Sequence, residues 1–235
     1  MQDVSIKGAF GRQARFRDGP LPVLRLAHPV TLDFVQLGGE SYRNNLLQYQ
    51  FTPKVDLALA DRQIADWARA HMRNRSDRFA QLIRLCGGAY LFVRVQRDEA
   101  GTGVRQIARH LWWVVRSVAE VDQNATLNAN LDQARQILVA YYSQPLSYES
   151  RLAQDLLRGI TRTTLGELAL AMRCTDASAL AQLKVVLLRL ALARRLALGL
   201  AAVPFGPTTV IEADQEGIGF EPPIPAAAFA LPEAA

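Results

Sequence analysis

Cysteine is scarce in this chain: Cys86 and Cys174 are the two in 235 residues. They form no metal-ligand cluster, so both read as buried small apolar groups in a protein expected to be cytoplasmic. Histidine is nearly as rare, and His28, His71 and His110 are scattered with no H-x-x-x-H pair or triad-like neighbourhood. No unbroken apolar run approaches the roughly 18 residues of a membrane span. The richest stretch, Val185 to Leu200, is interrupted by Arg189, Arg194 and Arg195. No positive-then-apolar segment opens the chain, so no membrane association is expected. Gly38-Gly39, Gly87-Gly88 and Gly101-Thr102-Gly103 lack the lysine and spacing of a P-loop or a dinucleotide fingerprint and read as turns. No internal repeat is evident. Basic residues are missing altogether from 201–235, which carries five acids.

What is present is apolar and unevenly basic. Half the residues are hydrophobic and the net charge is +5. That is enough apolar material for real cores, and the length suits two domains. Residues 1–120 carry 18 Lys and Arg against 11 Asp and Glu, whereas 151–200 carry 8 against 3. Such patches suit a polyanion, because cations that neutralise phosphates release counterions. The same numbers also arise from a composition rich in Arg, Ala and Leu.

The densest local signals lie between Thr163 and Ile211. Thr164 and Glu167 have capping-box spacing ahead of Leu165, Leu168, Ala169 and Met172, an apolar helical face. Asp176 caps a longer helix with Leu180, Leu183, Leu187 and Leu190 on one side. Leu196, Leu198 and Leu200 alternate as in a strand, Pro204 to Pro207 supply a turn, and Thr208 to Ile211 returns as a strand. Helix, turn, helix, two-stranded ribbon is the order of a winged helix. Ser147 to Arg158 supplies its first helix, and Asn124 to Tyr142 a connecting one.

Further upstream, Met1 to Pro22 reads as a basic loop or arm, and Val23 to Phe34 and Leu46 to Leu59 read as strands. Ser76 to Leu85 reads as a helix ended by Gly87-Gly88, Ala89 to Val95 as a strand, and Val104 to Val121 as a helix or helix pair. Trp112 and Trp113 cannot share one face, which puts one of them at a domain contact. From Gly217 onward the prolines and alanines read as a flexible tail. The expected class is α+β: an α/β domain over 1–120, a helical domain over 121–216, and the tail over 217–235.

This succession resembles the TnsA endonuclease subunit of heteromeric transposases, a restriction-endonuclease-like domain followed by a winged helix. His28-Pro29 with T-L-D-F, Phe51-Thr52-Pro53, Ser76 to Val95, and T-L-G-E-L-A through F-G-P-T-T-V carry the likeness. The resemblance implies double-stranded DNA, transposase and ATPase subunits as partners, and Mg²⁺ if a nuclease site is functional; otherwise no cofactor is expected. Such nucleases hold the ion with an early acid, a strand Asp and a Glu/Gln-x-Lys strand. Here Lys54 stands where the aspartate follows Thr-Pro. Asp56 and Asp66 are the remaining carboxylate candidates, and Asp66 is followed by Trp67-Ala68-Arg69 instead of x-Lys. Cleavage is therefore expected to be impaired or lost.

For DNA, the start of the second winged-domain helix offers Ser178 and Gln182 to base edges. Arg162, Arg173, Lys184, Arg189, Arg194 and Arg195 are the phosphate candidates. Two other functions fit the same residues. One is a winged-helix transcription regulator, and the other is a protein-interaction adaptor that meets no DNA.

Overall fold

The computed structural model describes residues 15–16, 19–20, 24–31, 33–60, 80–97, 102–145, 161–213 and 221–229, with three isolated positions between 146 and 160. The expected helix over 147–158 and the carboxylate candidate Asp66 lie outside or almost wholly outside these residues. The chain is α+β, with a five-stranded mixed sheet and several helices.

Two small hairpins come first: β1 (Arg15–Phe16) with β2 (Gly19–Pro20), and β3 (Leu24–Ala27) with β4 (Phe34–Leu37). Helix α1 (Glu40–Gln50) follows. Then come β5 (Val55–Leu59), β6 (Gln81–Leu85), β7 (Tyr90–Gln96), β8 (Gly103–Ala108) and β9 (Leu111–Ser117). Their order in the sheet is β5-β6-β7-β9-β8, with β7 and β9 parallel and the other neighbours antiparallel.

Three expectations are corrected here. Residues 46–50 belong to α1, and the alternation seen from Leu46 onward continues as a strand only from Val55. Buried Asn44, Asn45 and Gln48 on that helix have hydrogen-bond partners elsewhere in the fold, so its inward face is partly polar and hides the helical period. Gln81–Leu85 is a strand, because β5 and β7 flank it and take its backbone groups. Gly88, at φ 81°, closes the β6–β7 turn, with its amide on the Leu85 carbonyl. Residues 103–117 form a hairpin in place of a helix. The adjacent indoles do lie on opposite faces, but within one sheet. Trp113 stacks on Phe92 at 5.3 Å, while Trp112 packs against the cluster beneath α1.

The second half is α2 (Val118–Asp122), α3 (Ala125–Ala140), β10 (Arg162–Thr164), α4 (Leu165–Ala171), α5 (Ala177–Leu192), β11 (Ala197–Leu198) and β12 (Val210–Glu212). The three short strands form an antiparallel sheet of order β10-β12-β11. The caps are as the sequence spacing implies. Thr164 and Glu167 form a full capping box on α4, and Asp176 accepts the Ala179 amide at the start of α5. Both helices end in Schellman geometry with an arginine in the left-handed position: Arg173 at φ 55° and Arg194 at φ 60°.

A boundary between residues 120 and 121 would cut α2, and the apolar core does not respect it. Leu47 of α1 sits in one cluster with Leu131 of α3, Leu165 of α4 and Leu183 and Leu187 of α5. The tail expectation also changes. Residues 221–229 lie against the sheet, with Pro222 and Ala228 buried and a 3-10 turn over Ala226–Phe229.

His28 joins the β3–β4 turn to the sheet. Its Nδ1 accepts the amides of Val30 and Thr31, each at 3.2 Å, which leaves Nε2–H to donate to the Ala58 carbonyl at 2.7 Å. Burial lowers its pKa below the usual 6.5, against smaller opposing effects of the Ala58 bond and Asp33. The folded state therefore holds the neutral ring. Stability is fully present above about pH 6.5 and falls as pH drops below it, because the unfolded chain takes up the proton first. The expected result is a stability–pH slope between pH 7 and 5 that flattens in His28→Asn, measured by urea unfolding. Identical slopes in the two proteins would refute the buried neutral ring.

Candidate functional site

The edge to which the resemblance assigns cleavage chemistry is the one formed by Lys54 and Asp56. Asp56 sits at a bulge in β5, and its Oδ2 lies 2.5 Å from Arg84 Nε on β6. Lys54 precedes the strand, and its Nζ is 2.6 Å from Glu221 Oε1. All four side chains are about half exposed, so these pairs are wet and individually weak. Each carboxylate faces a cation where a divalent ion would need open anionic oxygens. Among the described residues no group of three His, Cys, Asp or Glu side chains comes together to hold a metal.

Beside this edge runs a cleft of about 440 Å³ between the sheet and the helices, lined by Val30, Asp56, Leu138, Tyr142, Arg189 and Leu192 among others. Its carboxylate is Asp56, already paired with Arg84, and Arg189 is held by backbone carbonyls. The cleft thus offers apolar walls without an acid–base pair.

The helical half sorts the phosphate candidates into two groups. Arg189 reaches from α5 to the C-terminal end of α3 and donates to the carbonyls of Tyr141 (2.8 Å), Tyr142 (3.2 Å) and Gln144 (3.0 Å). Arg194 does the same at the end of α1, donating to the Gln50 carbonyl at 3.1 Å and to that of Val55. Both cations thus meet the unsatisfied carbonyls and negative dipole end of another helix. Burial lowers the Arg194 pKa, and also that of Lys184, whose Nζ donates to the Phe205 carbonyl at 3.0 Å and lies 4.8 Å from its ring centre. Lys184, Arg189 and Arg194 are therefore each engaged with backbone carbonyls within the fold.

Arg162, Arg173, Ser178 and Arg195 are exposed and Gln182 is half-buried. Arg162 lies across from Glu212, with Nε 3.4 Å from Oε1. The α4–α5 turn brings Arg173 and Ser178 to one surface, together with Leu170, which is 81% exposed. Glu167 is held below its usual range by the Thr164 amide first and by the hydroxyls of Thr163 and Thr164 next.

The turn between β11 and β12 is tied to α3. Asn130 of α3, buried, accepts the Phe205 amide at 2.8 Å and donates to the carbonyls of Leu200 and Val203, each at 2.7 Å. Asn124 adds a bond to Ala201 at 3.1 Å while its oxygen caps α3. Phe205 is buried as a result. Attention to apolar positions alone passes over Asn124 and Asn130. Two amides on a helix predicted to bury its face were the signal that something polar must meet them.

No helix among the described residues is long and apolar enough to cross a membrane. Comparison with protein-family models, with curated proteins and with solved structures gave no match for this chain.

Proposed function

We propose that this protein is a non-cleaving, DNA-associated subunit built on a TnsA-like plan, acting beside transposase and ATPase subunits in a nucleoprotein complex. Two successions support the reading. Helix α1, the β5–β6–β7 meander and the parallel β9 follow the order expected of a restriction-endonuclease-like core. β10, α4, α5, β11 and β12, with β12 central, follow that of a winged helix. The observation that carries the non-cleaving part is the filling of the edge by Lys54–Glu221 and Asp56–Arg84. A duplex meets the α4–α5 turn through Arg173, Ser178 and Gln182, with Arg162 and Arg195 at its margins.

The test is an electrophoretic shift at two salt concentrations on wild type and on Arg173→Ala with Arg195→Ala. The double variant should bind every duplex more weakly, and the salt slope should fall by about one per lost phosphate contact. Mg²⁺ or Mn²⁺ should produce no cleavage. Cleavage abolished by Asp56→Ala would overturn the non-cleaving assignment.

A second reading, an adaptor without DNA contact, is favoured by a specific observation: three of the six cation candidates are engaged internally while Leu170 stands exposed. It predicts no salt-dependent duplex binding in wild type, and loss of a protein partner in Leu170→Asp.

A further inference from the structure

Residues 221–229 bring the chain back to the sheet edge next to Lys54 and the β6–β7 turn. Tyr49, wholly buried at the end of α1, donates its hydroxyl to the Pro223 carbonyl at 3.0 Å. Lys54 grips the segment at both ends. Its Nζ is 2.6 Å from Glu221 Oε1 and 5.7 Å from the centre of the Phe229 ring. Gly87 lies under the far end: a Cβ there would stand 3.8 Å from Phe229 Cδ1 and 4.0 Å from the Ala228 carbonyl oxygen. Ala228, Ile224 and Phe229 complete the apolar cluster that contains Leu85 and Ala89.

We propose that the groove beneath residues 221–229 is a peptide-docking site that the chain fills with its own C-terminal segment. Its partner is a proline-rich segment with a carboxylate ahead of the prolines and an aromatic ring behind them. Three features make the filling exchangeable. The segment buries Pro222 and Ala228 but leaves Glu221, Ala226 and Ala227 exposed, so it is read on one side. Its ion pair is half exposed and screened by salt. Its prolines restrict the backbone before docking, so a competing segment of the same kind loses little conformational freedom on binding. Displacement without replacement would uncover the apolar cluster, which is why the occupant must carry the same chemistry. None of this depends on whether the protein meets DNA.

The test uses the full chain and a fluorescent peptide of residues 219–231, followed by anisotropy. Wild type should bind it weakly, since the tethered segment competes. Loosening that segment with Glu221→Ala and Phe229→Ala in the protein should tighten binding at least tenfold. Adding Lys54→Glu should abolish binding of the natural peptide and restore it for a peptide carrying Glu221→Lys, which a merely structural lysine would not do. If the loosened variant fails to fold, Glu221→Ala alone, at an exposed position, carries the same comparison. Equal binding by wild-type and loosened protein, or indifference to Lys54→Glu, would overturn the proposal. A wild-type dimer in sedimentation that the loosened variant loses would make a second copy the occupant and overturn the assignment to its own segment.

Discussion

Arg116→Ala is expected to destabilise the protein by about 3 kcal/mol, the lower end of what breaking a buried, hydrogen-bonded charge costs. Arg116 is fully buried in β9. Its Nε donates to Glu120 and its Nη1 to the side-chain oxygens of Asn45 and Gln48, all at 2.8 Å, with the Tyr49 ring 5.8 Å from the guanidinium carbon. The amides it meets are engaged further on. Asn45 donates to Gln81 at 2.6 Å, and Gln48 donates to Asn128 and to the Val121 carbonyl at 2.8 Å. One cation therefore fixes α1 against the sheet, α2 and α3 together. Removing it strands two buried amide oxygens. Glu120, which is 34% exposed, can turn to water, which limits the loss. Urea unfolding with an unchanged m-value is the measurement. Arg116→Met, which keeps apolar bulk but no donors, should be nearly as damaging. If Met were as stable as wild type, the network would contribute shape alone.

The second large effect is at Leu187. Leu187→Ala should cost about 2–5 kcal/mol, and Leu183→Ala a similar amount, because both side chains are buried in the cluster shared by α1, α3, α4 and α5. The cost combines lost transfer energy with a cavity that four packed elements cannot collapse. Leu170→Ala, one helix away and 81% exposed, should change stability by no more than about 0.5 kcal/mol. A thermal midpoint unmoved by Leu187→Ala would contradict the facing of α5. Since typical domains have about 5–15 kcal/mol in total, either core change removes a large share.

Residues that act on near neighbours in sequence were legible without the fold. The Thr164–Glu167 box, the Asp176 cap, the apolar faces of α3, α4 and α5 and the strand at 90–96 depend on spacings of two to four residues. The opposite facing of Trp112 and Trp113 is equally local. Tertiary structure decided the rest. Whether 81–85 is helix or strand depended on β5 and β7 beside it, and whether 103–117 forms a hairpin depended on where its backbone groups find partners. Helix α1 hid because its buried amides look solvent-facing until Gln81, Arg116 and Asn128 arrive from distant sequence.

The same reason governs the candidate site. Sequence displays Arg189 and Arg194 as charge on a helix, but it cannot show that the carbonyl ends of α3 and α1 lie within their reach. Lys54 likewise reads as a misplaced metal ligand until Glu221 and Phe229 return to it from the far end of the chain. Local spacing determines caps and periodicity. What a long polar side chain does is set by which unsatisfied group the folded backbone brings to its tip.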